Sequence, residues 1–166
     1  MHRFALRFFA SALFALAALV AGPASAQAAE AEFLRIWPQW QDADAFERIG
    51  EFFGQGERHS ARIVMRTQLD ERAGYYFLVR VKSSTALAGG KFVLHMIRSD
   101  APETKEYPFD LVDGGTGETV YQLGLTGRDW PAGREAQPVA WKLTLLAADG
   151  RVLAEQKSFL WEQPAK

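Results

Sequence analysis

From Glu57 onward the chain takes on a period of two. RIVMRTQ sets Ile63, Met65 and Thr67 against Arg62, Val64 and Arg66. Further runs of extended type follow in GYYFLVRVKSS, KFVLHMIRS, TKEYPFDLV, ETVYQLGLTG, VAWKLTLL and RVLAEQKSFLW. A period of two places successive side chains on opposite faces of an extended backbone. These runs are rich in β-branched and aromatic residues and are bounded by Gly, Asp, Ser or Pro, which reads as seven strands. AADG between the last two is a strong hairpin signal. No helical run separates the strands, so parallel βαβ units are excluded. The expected fold is all-β, an antiparallel two-sheet β-sandwich spanning 57–161, with a closed barrel as the alternative.

Upstream the rhythm changes. Phe46, Ile49 and Phe52 or Phe53 recur at three- and four-residue intervals, Asp44 is an N-cap with Glu47 as its capping-box partner, and Gly54 is placed as a stop. This predicts one short amphipathic helix over 44–53, within an N-terminal leader of residues 27–56. The strand KFVLHMIRS is apolar on both faces, with Phe92, Leu94 and Met96 on one and Val93, His95 and Ile97 on the other. A strand wetted on one side alternates. The helix, through Phe46, Ile49 and Phe52, is therefore expected to cover the His95 face; the other reading leaves that face open to a partner. In RAGYYFLVRV, alternation turns Tyr75, Phe77, Val79 and Val81 inward and Tyr76, Leu78 and Arg80 outward, making Tyr76 a surface ring beside Arg80.

The first 26 residues place His2, Arg3 and Arg7 before an apolar run from Phe8 to Val20, then Gly22, Pro23 and the triplet Ala24, Ser25, Ala26. This is the pattern of a secretory signal peptide cut between Ala26 and Gln27; the run is shorter than the roughly 20 residues of a membrane span. Cleavage leaves 140 of the 166 residues. Two of the 19 Lys and Arg leave with the signal, so 17 face 20 Asp and Glu, a formal charge of −3. That balance lacks the basic stripe that nucleic acid or an anionic membrane requires. No membrane insertion is expected after cleavage. With no cysteine, thiolate chemistry and disulfides are excluded in the periplasm or extracellular space where the chain is expected to work. Residues 162–166 read as a short tail.

The order of strands resembles immunoglobulin-like and fibronectin-type-III-like sandwiches, without the inter-sheet cysteine pair of antibody domains. RIWPQW, GYYFLVRV, LTGRDWP and SFLW together are similar to pieces of small secreted bacterial β-sandwich proteins. The resemblance implies fold and export. It carries no catalytic residue.

Chemistry is sparse. After signal removal the imidazoles are His59 and His95; His59 and Ser60 are adjacent, and in a strand would point to opposite faces. DLVDGGTGE lacks the ligand spacing of a calcium loop, and its glycines lead into a strand rather than a phosphate-cradling helix. No cofactor is expected, nor a catalytic or metal site. Trp130, in a loop with Arg128 and Arg134, has the makings of a capture site, unless its indole folds back over the end of the sandwich. Together with Tyr76, Arg80 and His95 these residues form the candidate ligand or partner surface. The expected function is a non-enzymatic secreted binding or accessory module for a protein, envelope component or glycan. The alternatives are a carbohydrate-binding module using exposed aromatics and, less favoured, a carboxylate-based hydrolase.

Overall fold

The computed structural model describes residues 30–46, 62–111 and 115–162. Its strands are β1 (Ala31–Gln41), β2 (Arg62–Arg66), β3 (Gly74–Ser83), β4 (Lys91–Arg98), β5 (Ala101–Asp110), β6 (Gly117–Thr126), β7 (Pro138–Leu146) and β8 (Val152–Lys157). They form two four-stranded sheets, sheet I in the order β1-β3-β6-β2 and sheet II in the order β5-β4-β7-β8.

The sheets meet through one shared hydrophobic cluster. Alternation along β3 sends Phe77, Val79 and Val81 into it with no exposed surface, and Leu123, Leu94, Leu143 and Leu145 do the same from β6, β4 and β7. Ring contacts bridge the layers: Phe92 tilts on Tyr121 at 5.0 Å and Phe77 meets Trp141 edge-on at 5.5 Å. Each such aromatic contact adds about 0.5–1.5 kcal/mol beyond the burial itself. Val139 of β7 is 43 % exposed, beside a register break between β4 and β7.

Seven of the strands coincide with the alternating runs. The eighth, β1, corrects the leader reading: FLRIWPQW pairs antiparallel with β3 from Ala31↔Ser83 to Gln41↔Gly74. A register shift between Phe33 and Arg35 breaks its period. The inward residues are therefore Phe33, then Ile36 and Trp40, and the three-residue step disguises a strand. Pro38 is tolerated because β1 is an edge.

A second departure is the β2–β6 pair, which is parallel. The chain leaves β2 at the Gly124 end of β6 and crosses to begin β3 on β6's other side. Thr126 fastens that crossing: its amide donates to Thr67 Oγ1 at 3.1 Å, its hydroxyl donates to the Gln68 carbonyl at 2.9 Å and accepts from the Gln68 amide at 3.0 Å. The AADG signal is confirmed as the β7–β8 connection. There the Gly150 amide donates to the Ala147 carbonyl at 2.9 Å, and Gly150 takes the left-handed φ of 85° that favours glycine.

Of the expected helix, Ala43–Phe46 forms a single 3-10 turn; residues 47–53 lie outside the described residues, as do His59, Ser60 and Asp113-Gly114.

Candidate functional site

The six candidate surface residues fall in three separate places. At the end of the molecule where β4 turns into β5, Arg98 continues the inward spacing of Phe92, Leu94 and Met96. It is a charged side chain in a core register, and it is only 7 % exposed. Each nitrogen of its guanidinium donates once: Nε and Nη2 to the two Asp100 carboxylate oxygens at 2.9 and 3.1 Å, and Nη1 to the Asp129 carbonyl at 2.8 Å. A bidentate pair of this kind satisfies a charge that burial would otherwise penalise. Gln68 Nε2 donates to Asp129 Oδ2 at 2.7 Å and ties in the β2–β3 connection. Nearby, burial pushes the Tyr107 phenol up, with Arg98 opposing.

Trp130 belongs to this frame. Its ring stacks on Tyr75 at 4.4 Å, its Nε1–H donates to the Gly133 carbonyl at 2.8 Å, and the residue is 3 % exposed. It is the folded-back lid, and it does not present the exposed face that glycan capture requires. Arg128 and Arg134 are exposed around it, and Arg134 reaches Asp42 at 3.4 Å.

The outer face of sheet I holds Tyr76 and Arg80, and here the surface-ring expectation is corrected: Tyr76 has no exposed area. It points away from the shared core, yet Phe46 tilts on its ring at 5.0 Å and Arg66 Nε donates to its hydroxyl at 2.8 Å. The hydroxyl in turn donates to the Arg72 carbonyl at 2.6 Å. Opposite it in register stands Gly124, where any Cβ would overlap the Tyr76 ring. Burial raises the Tyr76 phenol and the Arg66 hydrogen bond opposes that rise. Further along, Arg80 pairs with Glu118 at 2.9 Å, and the Arg35 guanidinium lies 4.3 Å from the Trp37 ring centre. Among the described residues, Arg80 Nε and Gln122 Oε1 on this face are closed to solvent without a hydrogen-bond partner.

His95 lies on the outer face of sheet II. Its Nε2 is 3.2 Å from Glu106 Oε2, and its Nδ1 is buried without a hydrogen-bond partner. What reaches it is Trp161, 6.2 Å away ring to ring, with Lys142 5.8 Å from the same indole. The expectation that Phe46 covers His95 is thereby overturned: Phe46 lies on Tyr76 of the other sheet, while Ile49 and Phe52 lie outside the described residues. The turn Phe159–Glu162 brings Trp161 back because Ser158 is pinned to β7, its amide donating to the Trp141 carbonyl at 2.8 Å and its hydroxyl accepting from the Trp141 amide at 2.9 Å. Phe159, on the same turn, is 81 % exposed.

At the end of the molecule opposite Trp130, a cavity of about 270 Å³ lies between Thr85–Ala88 and the Ala147–Arg151 hairpin. Arg151 stands at it, held by Glu30 at 3.0 Å and Asp149 at 3.6 Å. The Arg151 amide and guanidinium draw the Asp149 carboxyl below its usual range. These charges answer one another. Among the described residues no three His, Asp or Glu side chains converge as metal ligands.

Sequence reasoning missed Arg98, Gln122 and Trp37. For Arg98 the signal was its place in an inward register. For Gln122 it was a polar residue on a face whose neighbours, Val120 and Gly124, are not charged. Trp37 lay hidden with β1. The chain matches no protein-family model and no curated protein.

Proposed function

We propose that this chain is an exported, non-enzymatic binding or accessory module of the cell envelope, built as an immunoglobulin-like two-sheet sandwich and acting in the periplasm or outside the cell. The observation that carries the reading is the contrast between a buried polar frame at one end and an aromatic and arginine surface on one sheet. Arg98, Asp100, Gln68 and Asp129 are tied into a supporting frame, whereas the outer face of sheet I offers Trp37 with Arg35 stacked on it and the exposed Val64. Aromatic and arginine side chains on a rigid sheet are the usual anchors of protein recognition. The signal-like N-terminus supports export.

The test is to express the full chain with a C-terminal tag, fractionate the cells, and place a photo-crosslinking residue at Leu78. A processed chain beginning at Gln27 in the exported fraction, with one envelope protein crosslinked reproducibly, is the expected result. An unprocessed cytoplasmic chain, or turnover in a hydrolase screen, overturns the reading.

A further inference from the structure

Each edge strand of a sheet presents a row of backbone N–H and C=O groups on which a further strand can pair. The edges here are β1 and β2 of sheet I and β5 and β8 of sheet II, and they are not alike. β5 carries Pro102 and Pro108, each of which removes a donor. β1 carries Pro38 and the bulge at Phe33–Arg35. β8 lies against β1, and the residues that precede the two strands, Arg151 and Glu30, are paired at 3.0 Å. β2 has neither proline nor register break, and no strand stands on its outer side among the described residues.

One hydrogen bond tells which of its groups face outward. The Thr67 amide donates to the Gly124 carbonyl at 2.9 Å, and Arg66 is the register partner of Gly124. In a parallel ladder a residue bonds to the two neighbours of its opposite number, so alternate residues of a strand address opposite sides. Ile63, Met65 and Thr67 therefore address β6, while the N–H and C=O of Val64 and Arg66 address the open edge. Val64, at the middle of the strand, is 38 % exposed.

Side chains and charge define the occupant. Ile63 and Met65 pack against the shared core but are only partly buried, so a strand added alongside gains by setting apolar side chains next to them at every second position. On the other face Arg66 lies over the Phe46 ring at 4.6 Å and donates to the Tyr76 hydroxyl at 2.8 Å, and it meets no carboxylate among the described residues. An acidic residue in the added strand answers that charge. A second copy of this chain does not: antiparallel pairing centred on Val64 sets position 62 of each copy against position 66 of the other, arginine against arginine, and like charges directly opposite are destabilising.

We propose that β2 is the docking edge of the module, where an extended segment of a partner protein, alternating apolar and acidic residues, adds a further strand to sheet I through the backbone of Val64 and Arg66. This rests on the binding-module reading and names the surface and the partner's chemistry.

The experiment combines NMR hydrogen exchange on the full processed chain with fluorescence anisotropy of two end-blocked peptides, one alternating Glu and Val and one alternating Lys and Val. In the free chain the Val64 and Arg66 amides are expected to exchange freely beside protected Met65 and Thr67 amides. The Glu-Val peptide then protects Val64 and Arg66, and the Lys-Val peptide does not bind. Val64→Pro, which removes an outward N–H and no bond to β6, should weaken binding roughly tenfold or more, while Val64→Thr, which keeps the N–H, leaves it unchanged. Two N-methylated forms of the Glu-Val peptide, one at every Glu and one at every Val, carry the test even where Val64→Pro fails to fold: strand addition uses alternate backbone amides, so one form loses binding and the other keeps it. Protection of Val64 or Arg66 in the free chain, whether by the preceding segment or by a second copy, overturns the proposal. So does equal binding of the Glu-Val and Lys-Val peptides, or of the two N-methylated forms. If an envelope partner crosslinked at Leu78 persists in a folded Val64→Pro chain, the edge assignment fails and the module stands; if neither peptide nor partner is captured, both fail.

Discussion

The two faces of β3 bury their side chains by different means. On the inner face Tyr75, Phe77, Val79 and Val81 meet the opposing sheet, and the driving force is removal of apolar area from water. On the outer face Tyr76 is buried as deeply, with no exposed area against 5 % for Tyr75. Among the described residues, however, it meets the Phe46 ring, the Arg66 guanidinium, the Arg72 carbonyl and the bare Gly124. The inner face tolerates rearrangement among apolar shapes, whereas the outer cluster depends on a few directed contacts. Depth of burial alone therefore does not distinguish core from a locally built cap.

The contrast breaks most strongly on the inner side. Phe77→Ala, which opens a cavity beneath Trp141, is expected to cost about 3–5 kcal/mol in denaturant unfolding. On the outer side Gly124→Ala forces the Tyr76 ring to move and should cost about 1–3 kcal/mol. That cost should shrink when Tyr76 is already alanine, and a double-mutant cycle reads the coupling directly. Additive effects would show that ring and glycine are not in contact. Tyr76→Phe, which leaves the ring and deletes the hydroxyl between Arg66 and the Arg72 carbonyl, should cost about 1–3 kcal/mol.

The tyrosines also offer a comparison by pH. All four in the chain, Tyr75, Tyr76, Tyr107 and Tyr121, have phenols raised above the ordinary 10.0 by burial. The unfolded chain therefore releases these protons first. Their contribution is fully present below pH 10.0 and is lost as pH climbs from there through the folded values. Tyrosinate absorbance should rise together with loss of the circular dichroism signal; tyrosinate appearing before unfolding would refute the burial. The smallest effect is expected at the Arg80–Glu118 pair, whose side chains are 44 % and 43 % exposed. Glu118→Gln should change stability by no more than about 1 kcal/mol.

Most of the strands were legible because a half-buried strand must alternate; β4, apolar on both faces, was legible instead by its β-branched and aromatic residues bounded by Gly and Ser. β1 was not, since its bulge at Phe33–Arg35 replaces a two-residue step with a three-residue one. The candidate site was legible only in part. Trp130 and His95 stood out by residue type, but which neighbours they meet depends on loops and on a C-terminal turn that folds back over sheet II.

By itself, then, the sequence determined the all-β class, the AADG hairpin and the split of Tyr75 from Tyr76, because each is a local property of spacing or residue type. The tertiary structure alone decided that Tyr76 is buried, that Arg98 is clamped inside, and that Trp161 rather than Phe46 reaches His95. Those facts join residues far apart in the chain. They follow from strand order and register, which alternation leaves open.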